Sequence, residues 1–250
     1  MVRNIAAYHF TVVDDPQALA DAVHAWAEAG ELLGTVLVAG EGINLFLAGR
    51  NRAVEVFLAC LRADSRFAGI EVKSSSSVHV PFERLKVKAK REIIRFDRDE
   101  ASPLTGRAPA VSPHTLARWI ERGVDDDGHR VVLLDTRNRE EVGYGTFHDA
   151  LTLPIDNFTE LPAAVDAIRD ELGDATVVSF CTGGIRCEKS ALWMRDAGFA
   201  RTYQLDGGIL GYFEHVGALG YDGACFVFDG RMALDPTLRP LVDAGPTTSP

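Results

Sequence analysis

Residues 175–197 limit the fold more than any other stretch of the chain. An apolar run, Thr176-Val177-Val178-Ser179-Phe180, reads as a buried strand. It passes without a spacer into Cys181-Thr182-Gly183-Gly184-Ile185-Arg186 and then into a helical pattern from Cys187 to Asp196. A strand, a tight glycine-containing loop and a helix start in immediate succession belong to α/β architecture. The backbone amides of such a loop point inward at whatever occupies its centre, and the following helix adds the positive end of its dipole. Both favour a thiolate at Cys181 over a thiol, and Arg186 brings a permanent positive charge a few residues away. Cys181 is the candidate nucleophile, with Thr182, Gly183, Gly184, Ile185 and Arg186 as its loop. The alternative is a small apolar side chain buried at a strand end, the usual fate of a free cysteine, which needs neither glycines nor an arginine. Cys187 either resolves a persulfide or disulfide at Cys181 or packs at the helix start, and packing is the expectation.

The spacing Cys181-x-x-Gly184-x-Arg186 resembles the active-site loop of rhodanese domains, whose cysteine carries a persulfide. The phosphatase loop is the nearest rival, with five residues between cysteine and arginine to wrap a phosphate. Here four residues intervene and the sixth position after Cys181 is Cys187, so a shorter, sulfur-sized loop fits better.

A chain of 250 residues, 46% of them hydrophobic, is comfortable for two domains with a core in each. No apolar run approaches membrane-spanning length, and Met1 to Phe10 lacks the charged-then-apolar order of a signal peptide, so a cytoplasmic location and no membrane partner are expected. Cys60, Cys181, Cys187 and Cys225 are too few and too scattered for a disulfide framework, and no Cys/His spacing suits zinc, so no metal is expected. Cys60 falls in a helical stretch and reads as core. A net charge of −10 argues against nucleic acid in general, and no DNA partner is expected, but the distribution of charge matters more than its sum.

In chain order, Arg3 to Val13 reads as a strand, Pro16 to Gly30 as a helix, Thr35 to Ala39 and Ile43 to Leu47 as strands joined by the turn Gly40-Glu41-Gly42, and Asn51 to Ala63 as a second helix. A further strand is expected near Gly69 to Ser74. The order β-α-β-β-α-β suggests a small ferredoxin-like domain. Gly40-Glu41-Gly42 lacks the third glycine of a dinucleotide loop and leads into a strand, so a hairpin-like turn is the better reading. Ser74 to Ser77 reads as a polar break. Beyond it Arg84, Lys86, Lys88 and Lys90 alternate with Leu85, Val87 and Ala89, which in a strand puts the four cations on one face, with Arg91 following. Such a face is either merely solvated or a footprint for a polyanion. Repeated like charges repel, so the polyanion is the expectation.

Pro103, Gly106, Pro109 and Pro113 mark residues 97–113 as a linker. After it come a short helix from His114 to Glu121, a buried strand from Val131 to Leu134, a loop from Gly145 to Ala150 into a strand at Leu151 to Leu153, a helix from Ala163 to Leu172, the Cys181 unit, a strand from Thr202 to Leu205, and Gly207-Gly208 before a last helix. Strands alternating with helices predict a parallel sheet, with the reactive loop at the carboxyl end of its strand, where such folds bind ligands. Asp135 and Arg137 read as structural groups at a strand end, and His148 as a surface or loop-anchoring histidine.

The resemblance extends over most of the chain. Gly40-Glu41-Gly42-Ile43-Asn44, Pro81-Phe82 with Arg84-Leu85-Lys86-Val87-Lys88, Asp135-Thr136-Arg137-Asn138 with Glu141-Val142, Gly145-Thr146-Phe147, Cys181 to Lys189, and Phe226-Val227-Phe228-Asp229 with Arg231-Met232 occur in this order. Together they resemble the rhodanese-like tRNA uridine hydroxylases, which make 5-hydroxyuridine at wobble position 34 in an oxygen-dependent reaction. The resemblance implies an acylphosphatase-like (ferredoxin-like) α+β domain over 1–96 carrying the basic strand, a linker over 97–113, a rhodanese-like parallel α/β domain over 114–218 and a C-terminal extension over 219–250. It also implies that Cys181 is the catalytic, persulfide-type cysteine, that molecular oxygen is a co-substrate with no other cofactor evident, and that tRNA is the partner; the cationic face read from the strand then makes Arg84, Lys86, Lys88, Lys90 and Arg91 the candidate tRNA contacts. Gly230 stands where an acidic residue is expected, and the tail lacks a Cys/His-rich extension, so no role of that extension transfers. A sulfurtransferase or persulfide carrier is the alternative that the loop chemistry alone favours. Oligomeric state is not legible.

Overall fold

The computed structural model describes residues 1–242, which fall into two units, Met1–Arg95 with Phe228–Met232 and 239–242, and Phe96–Val227 with Ala233–Leu238. The first unit runs β1 (Val2–Phe10), α1 (Pro16–Ala29), β2 (Leu33–Ala39), β3 (Gly42–Gly49), α2 (Asn51–Ala63), β4 (Lys73–Ser77) and β5 (Leu85–Ala89). Its sheet has the order β4-β1-β3-β2-β5, antiparallel throughout except that β5 lies parallel to β2 at one edge. Helix α1 starts where the Asp15 carboxylate accepts the Ala18 amide at 2.9 Å and Pro16 needs no partner for a missing N–H. Leu19, Ala20, Val23 and Ala27 make its buried stripe, and Val54, Phe57, Leu58 and Leu61 that of α2. Both stripes close over Val36, Val38, Ile43, Leu45 and Leu47 of the central strands.

The turn before β3 needs glycine. Gly42 has φ of +141°, and a Cβ there would lie 2.0 Å from the carbonyl oxygen of His9 on β1. Glu41 accepts the Ile93 amide at 2.8 Å and the Asn44 side chain donates to the Ile93 carbonyl at 3.2 Å, so this hairpin also fastens the chain that follows β5.

Ser74 to Ser77, expected as a break, is most of strand β4, and the strand expected near Gly69 starts only at Lys73. Pairing overrides serine's weak strand preference: Val2 to Ala6 of β1 register with Ser77 to Lys73, and the buried Asn4 amide donates to Ser77 at 3.0 Å. The stretch Phe228–Met232 belongs to this unit through an amide of Gly230 donating to Pro81 at 2.9 Å and Arg231 donating to the Ser75 hydroxyl at 2.6 Å. The segment 219–250, expected as one extension, is therefore shared between the units, and residues 243–250 of it lie outside the described residues.

The second unit runs β6 (Ala110–Val111), α3 (Pro113–Arg122), β7 (Val131–Asp135), α4 (Arg139–Val142), β8 (Gly145–Phe147), β9 (Leu151–Thr152), α5 (Leu161–Ala167), α6 (Arg169–Leu172), β10 (Thr176–Phe180), α7 (Ile185–Asp196), β11 (Thr202–Leu205), α8 (Gly208–His215), β12 (Tyr221–Gly223), β13 (Cys225–Phe226) and β14 (Ala233–Leu234). Its main sheet is wholly parallel in the order β6-β11-β10-β7-β9. Every residue of the central strand β10 is buried, as a parallel strand covered on both faces requires. The expected linker is only partly irregular, since its Ala110–Val111 pairs with β11 as the edge strand. The helix expected over Ala163 to Leu172 is two short helices that meet at Ile168. Gly145 to Phe147, expected as loop, pairs as β8 with β12.

Candidate active site

Helix α7 opens two residues earlier than its sequence pattern suggests. Gly184 adopts the left-handed conformation at φ of +101°, and its carbonyl accepts the amides of Cys187 at 3.0 Å and Glu188 at 3.3 Å. Arg186 and Cys187 are thus first-turn residues, close to the end of β10. Cys181 follows the last residue of that strand and has no exposed surface. Its sulfur accepts the Gly184 amide at 3.2 Å. Helix α8 meets the same loop from the other side, where the Ile209 amide donates to the Cys181 carbonyl at 2.9 Å and the Leu210 amide to the Thr182 carbonyl at 3.0 Å. This approach requires Gly208, at φ of +62°, because a Cβ would lie 2.5 Å from the Cys181 carbonyl oxygen and 2.7 Å from the Gly184 nitrogen. The Cys181 loop therefore lies between the amino-terminal turns of two helices, an arrangement suited to negative charge.

Burial alone would push the Cys181 thiol up. The neighbouring Cys187 thiol, the Arg186 charge and the amides of Arg186 and Gly184 outweigh that and bring it down to about 6. The partner moves the other way: burial and the charge on Cys181 hold the Cys187 proton well above the ordinary thiol range. Cys225, a third buried cysteine, reaches about 12 through burial and stays a thiol. At neutral pH the anionic sulfur is that of Cys181. Cys60 is only partly buried.

Arg186 is not a free cation. Its two terminal nitrogens donate to the two oxygens of Glu141 at 2.6 Å each, and the side chains are 7% and 1% exposed. Glu141 in turn accepts the Asn138 amide at 3.1 Å in a capping box on α4 and the Thr182 hydroxyl at 3.4 Å. Burial would raise its carboxyl, but the Arg186 charge outweighs this and keeps it below the ordinary value. The adjoining Asp135 and Arg137 form a separate buried pair at 2.6 Å, and Arg137 also donates to the Gly145 carbonyl at 2.6 Å, so this pair ties the end of β7 to β8. His148 lies beside Asp222 at 3.0 Å with about half of its side chain exposed, a surface position.

Of the loop residues, Thr182, Gly184, Ile185 and Arg186 are buried, while Gly183 is partly exposed with open space where a Cβ would be. Among the described residues, Asp125, Asp127 and His129 are near enough to share a cation, but Asp125 already accepts the Asp127 and His129 amides at 2.9 Å and the Thr176 hydroxyl at 2.5 Å, which closes the turn before β7.

In the first unit Lys86 and Lys88 project from β5 into solvent while Leu85, Val87 and Ala89 pack on the core. Arg84 and Lys90 flank the strand on the same alternation and are exposed, and the Lys90 amide continues the ladder to the Val38 carbonyl at 2.8 Å. Arg91 is exposed but falls on the opposite alternation, beyond the strand. Arg84, Lys86 and Lys88 line an open groove of about 290 Å³ together with His24 of α1.

Two residues of the Cys181 site escape a reading by local pattern: Glu141 and Gly208. The signals are Asn138-x-x-Glu141, a capping-box spacing, and Gly207-Gly208 one residue beyond the strand Thr202–Leu205, but neither shows that it ends at the Cys181 loop.

Residues 2–93 match the UPF0176 acylphosphatase like domain and residues 112–215 the Rhodanese-like domain. The fold is accordingly an acylphosphatase-like α+β domain followed by a rhodanese-like domain with a parallel sheet. A protein of Xanthomonas euvesicatoria pv. vesicatoria named tRNA uridine(34) hydroxylase is 62% identical over 247 residues, 99% of this chain and 100% of that protein. One of the same name from Xylella fastidiosa is 60% identical over 243 residues, 97% of this chain and 95% of that protein. Among solved structures, a rhodanese-like domain from Anabaena is 21% identical with a TM-score of 0.37, covering 46% of this chain and 79% of that one. No helix among the described residues is long and apolar enough to cross a membrane.

Proposed function

The chain belongs to the tRNA uridine(34) hydroxylase family, and from that membership we propose that it hydroxylates carbon 5 of the wobble uridine with Cys181 as the nucleophile and molecular oxygen as co-substrate. The observation that carries this reading is a buried sulfur, held anionic by Gly184, Arg186 and Cys187, at the carboxyl edge of a parallel sheet. Carbon 5 of uracil is a poor partner for oxygen. Bonding of the Cys181 sulfur to carbon 6 moves the ring's π electrons into an enolate with electron density at carbon 5. After oxygen is incorporated there, loss of the carbon 5 proton and of the sulfur restores the ring double bond and the Cys181 thiolate. The net change is uridine, oxygen, two electrons and two protons to 5-hydroxyuridine and water, so a two-electron donor outside this chain takes part. The base must leave its stack to reach the sulfur, at small cost for a nucleotide already in a single-stranded loop.

The tRNA backbone is gripped by Arg84, Lys86, Lys88 and Lys90, with Arg91 beyond them, because an exposed cationic face satisfies phosphates that base recognition leaves free. The engagement of Arg186 by Glu141 weighs against the sulfurtransferase alternative, since an anionic sulfur donor would find no free guanidinium in the loop. Mass analysis of uridine 34 in tRNA from cells lacking the protein, and from such cells supplied with the chain or with its Cys181→Ser variant, tests the reading. The added oxygen returns with the chain and not with the variant. Its return with Cys181→Ser removes the role of the sulfur.

A further inference from the structure

In the first unit α1 and α2 pack on one side of the sheet, and the strand registers fix which side chains share the other side. Ala7, Leu45, Val36 and Val87 form a cross-strand row that packs under the helices. The next row therefore faces away from them: Lys73, Ala6, Phe46, Thr35 and Lys86, one residue from each of β4, β1, β3, β2 and β5. Phe46 stands in the middle of the sheet with a lysine at either margin, and its row neighbours, Ala6 and Thr35, are too short to cover its ring. A further row on the same face holds Tyr8, Asn44, Leu37 and Lys88. Large rings usually belong to a core, yet the strand residues buried under the helices are aliphatic, while Tyr8, Phe10 and Phe46 are on the far side and only half-buried. In a chain with 36 Asp and Glu against 26 Lys and Arg, none of these five strands carries a carboxylate.

We propose that this helix-free face is a base-stacking platform, on which the Phe46 ring takes an unpaired base of the tRNA anticodon loop while Lys86 and Lys88 meet the phosphates beside it. The inference rests on the reading of tRNA as the substrate, and it adds to the cationic strand a contact that distinguishes a loop from a duplex. Bases inside a duplex are stacked on one another and offer no face to a protein, whereas an unpaired loop base has a π-face to lay on an aromatic ring. Phe46 and Lys86 are two strand spacings apart, about 10 Å between backbones, a gap that one nucleotide and the flexible lysine stem bridge together. Charge selects the occupant. A half-exposed ring alone would suit any apolar partner, but one flanked by lysines on a sheet without carboxylates suits a group that pairs a flat apolar surface with an anion, which is what a nucleotide is.

The test is equilibrium binding of an RNA hairpin with the tRNA anticodon stem and loop, beside a blunt RNA duplex with the same number of phosphates. Phe46→Leu keeps an apolar side chain but removes the ring, and hairpin affinity falls by roughly five- to a hundredfold, the loss of one stacked base. Phe46→Tyr restores a ring and recovers the affinity. In neither variant does the salt slope of hairpin binding change, since no phosphate contact is lost, and duplex affinity stays that of the unaltered chain. Hairpin affinity untouched in Phe46→Leu, a loss shared equally by the duplex, or no recovery in Phe46→Tyr overturns the proposal. So does a Phe46→Leu chain that passes from dimer to monomer with its RNA affinity intact, the sign that a second copy of the chain covers the face. Should Phe46→Leu fail to fold, the unaltered chain decides: on irradiation a hairpin carrying 5-iodouridine in its loop crosslinks at Phe46, and crosslinks confined to other strands overturn the platform. Affinity lost on replacing Lys86, Lys88 and Lys90 but kept in Phe46→Leu removes the platform and leaves the tRNA reading standing, whereas a hairpin that the unaltered chain does not bind removes both.

Discussion

Arg186 and Glu141 face one another fork to fork at 2.6 Å across 45 residues of sequence, both buried, one in the first turn of the helix after Cys181 and the other in α4. The pair joins two loops at adjacent strand ends, and it sets how much positive charge the Cys181 sulfur feels. In Glu141→Gln the amide still accepts one hydrogen bond but leaves the guanidinium uncompensated. Unfolding in urea should show a loss of about 3 kcal/mol or more, the usual result of removing one partner of a buried pair. The Cys181 thiolate midpoint should fall below that of the unaltered chain, because the Arg186 charge is no longer offset. A midpoint that stays or rises would mean that Glu141 does not moderate that charge.

The same pairing predicts how stability responds to acid. The Glu141 carboxyl is held below its ordinary value in the folded protein, so its contribution is fully present above the carboxylate range of the unfolded chain and disappears as pH falls through the folded value. Denaturation profiles from neutral pH downward should be steeper for the unaltered chain than for Glu141→Gln. Parallel profiles would show that the acid transition belongs to other carboxylates.

Cys181 imposes a second dependence at higher pH. Its folded value of about 6 lies below the 9.0 of a free thiol, so between these limits the unfolded chain binds a proton that the folded chain does not. Stability should therefore rise with pH across this window in the unaltered chain and lose that rise in Cys181→Ser. Cys187, held above the ordinary thiol range, acts in the opposite sense only above the window. Urea midpoints at successive pH values decide it, and identical slopes for the two proteins would place the Cys181 proton in both states.

The local part of this site is readable along the chain. Strand, glycine and helix start are neighbours, so a cysteine between them can be recognised and its ionisation argued. What decides the electrostatics is not local. Glu141 reaches Arg186 only because β7 and β10 are adjacent in the sheet, and α8 reaches the loop only because β11 lies on the other side of β10. Arg186 alone reads as a free cation, whereas the folded chain spends it on a carboxylate. Strand β4 fails to show itself for a related reason: four serines form a strand because β1 presents an edge to them, not because serine prefers one.

Gly208 gives a packing test of the site. In Gly208→Ala the added methyl meets three backbone atoms of the Cys181 loop at 2.5, 2.7 and 2.8 Å, none of which is the end of a flexible side chain, and φ of +62° strains any L residue. Stability should fall by roughly 2 kcal/mol or more, and the thiolate midpoint should rise as the Gly184 amide loses its line to the sulfur. A variant with unaltered stability and midpoint would show that α8 does not constrain the loop.

Replacing Lys86, Lys88 and Lys90 together by Gln probes the basic strand. All three are exposed, so unfolding free energy should stay within about 0.5 kcal/mol. Affinity for tRNA should fall, and the slope of log affinity against log salt should flatten by roughly two to three, as about 0.7 to 0.9 counterions are released per phosphate contact. Equal affinity and equal slope would leave the strand as a solvated face only.

Attack of Cys181 at carbon 6 can be separated from a route in which its sulfur only delivers reducing equivalents. In tRNA carrying 5-fluorouridine at position 34, carbon 5 holds fluorine in place of the proton that must leave for the double bond to re-form, so the sulfur–carbon bond, once made, should persist. Incubation with the chain should give a protein–tRNA adduct stable to denaturation. The adduct should be absent with Cys181→Ser and should accumulate faster above pH 6 than below it, as the thiolate fraction requires. If unmodified tRNA is turned over under the same conditions while the fluorinated tRNA yields no adduct, the sulfur does not bond to the base and the carbon 6 route is wrong.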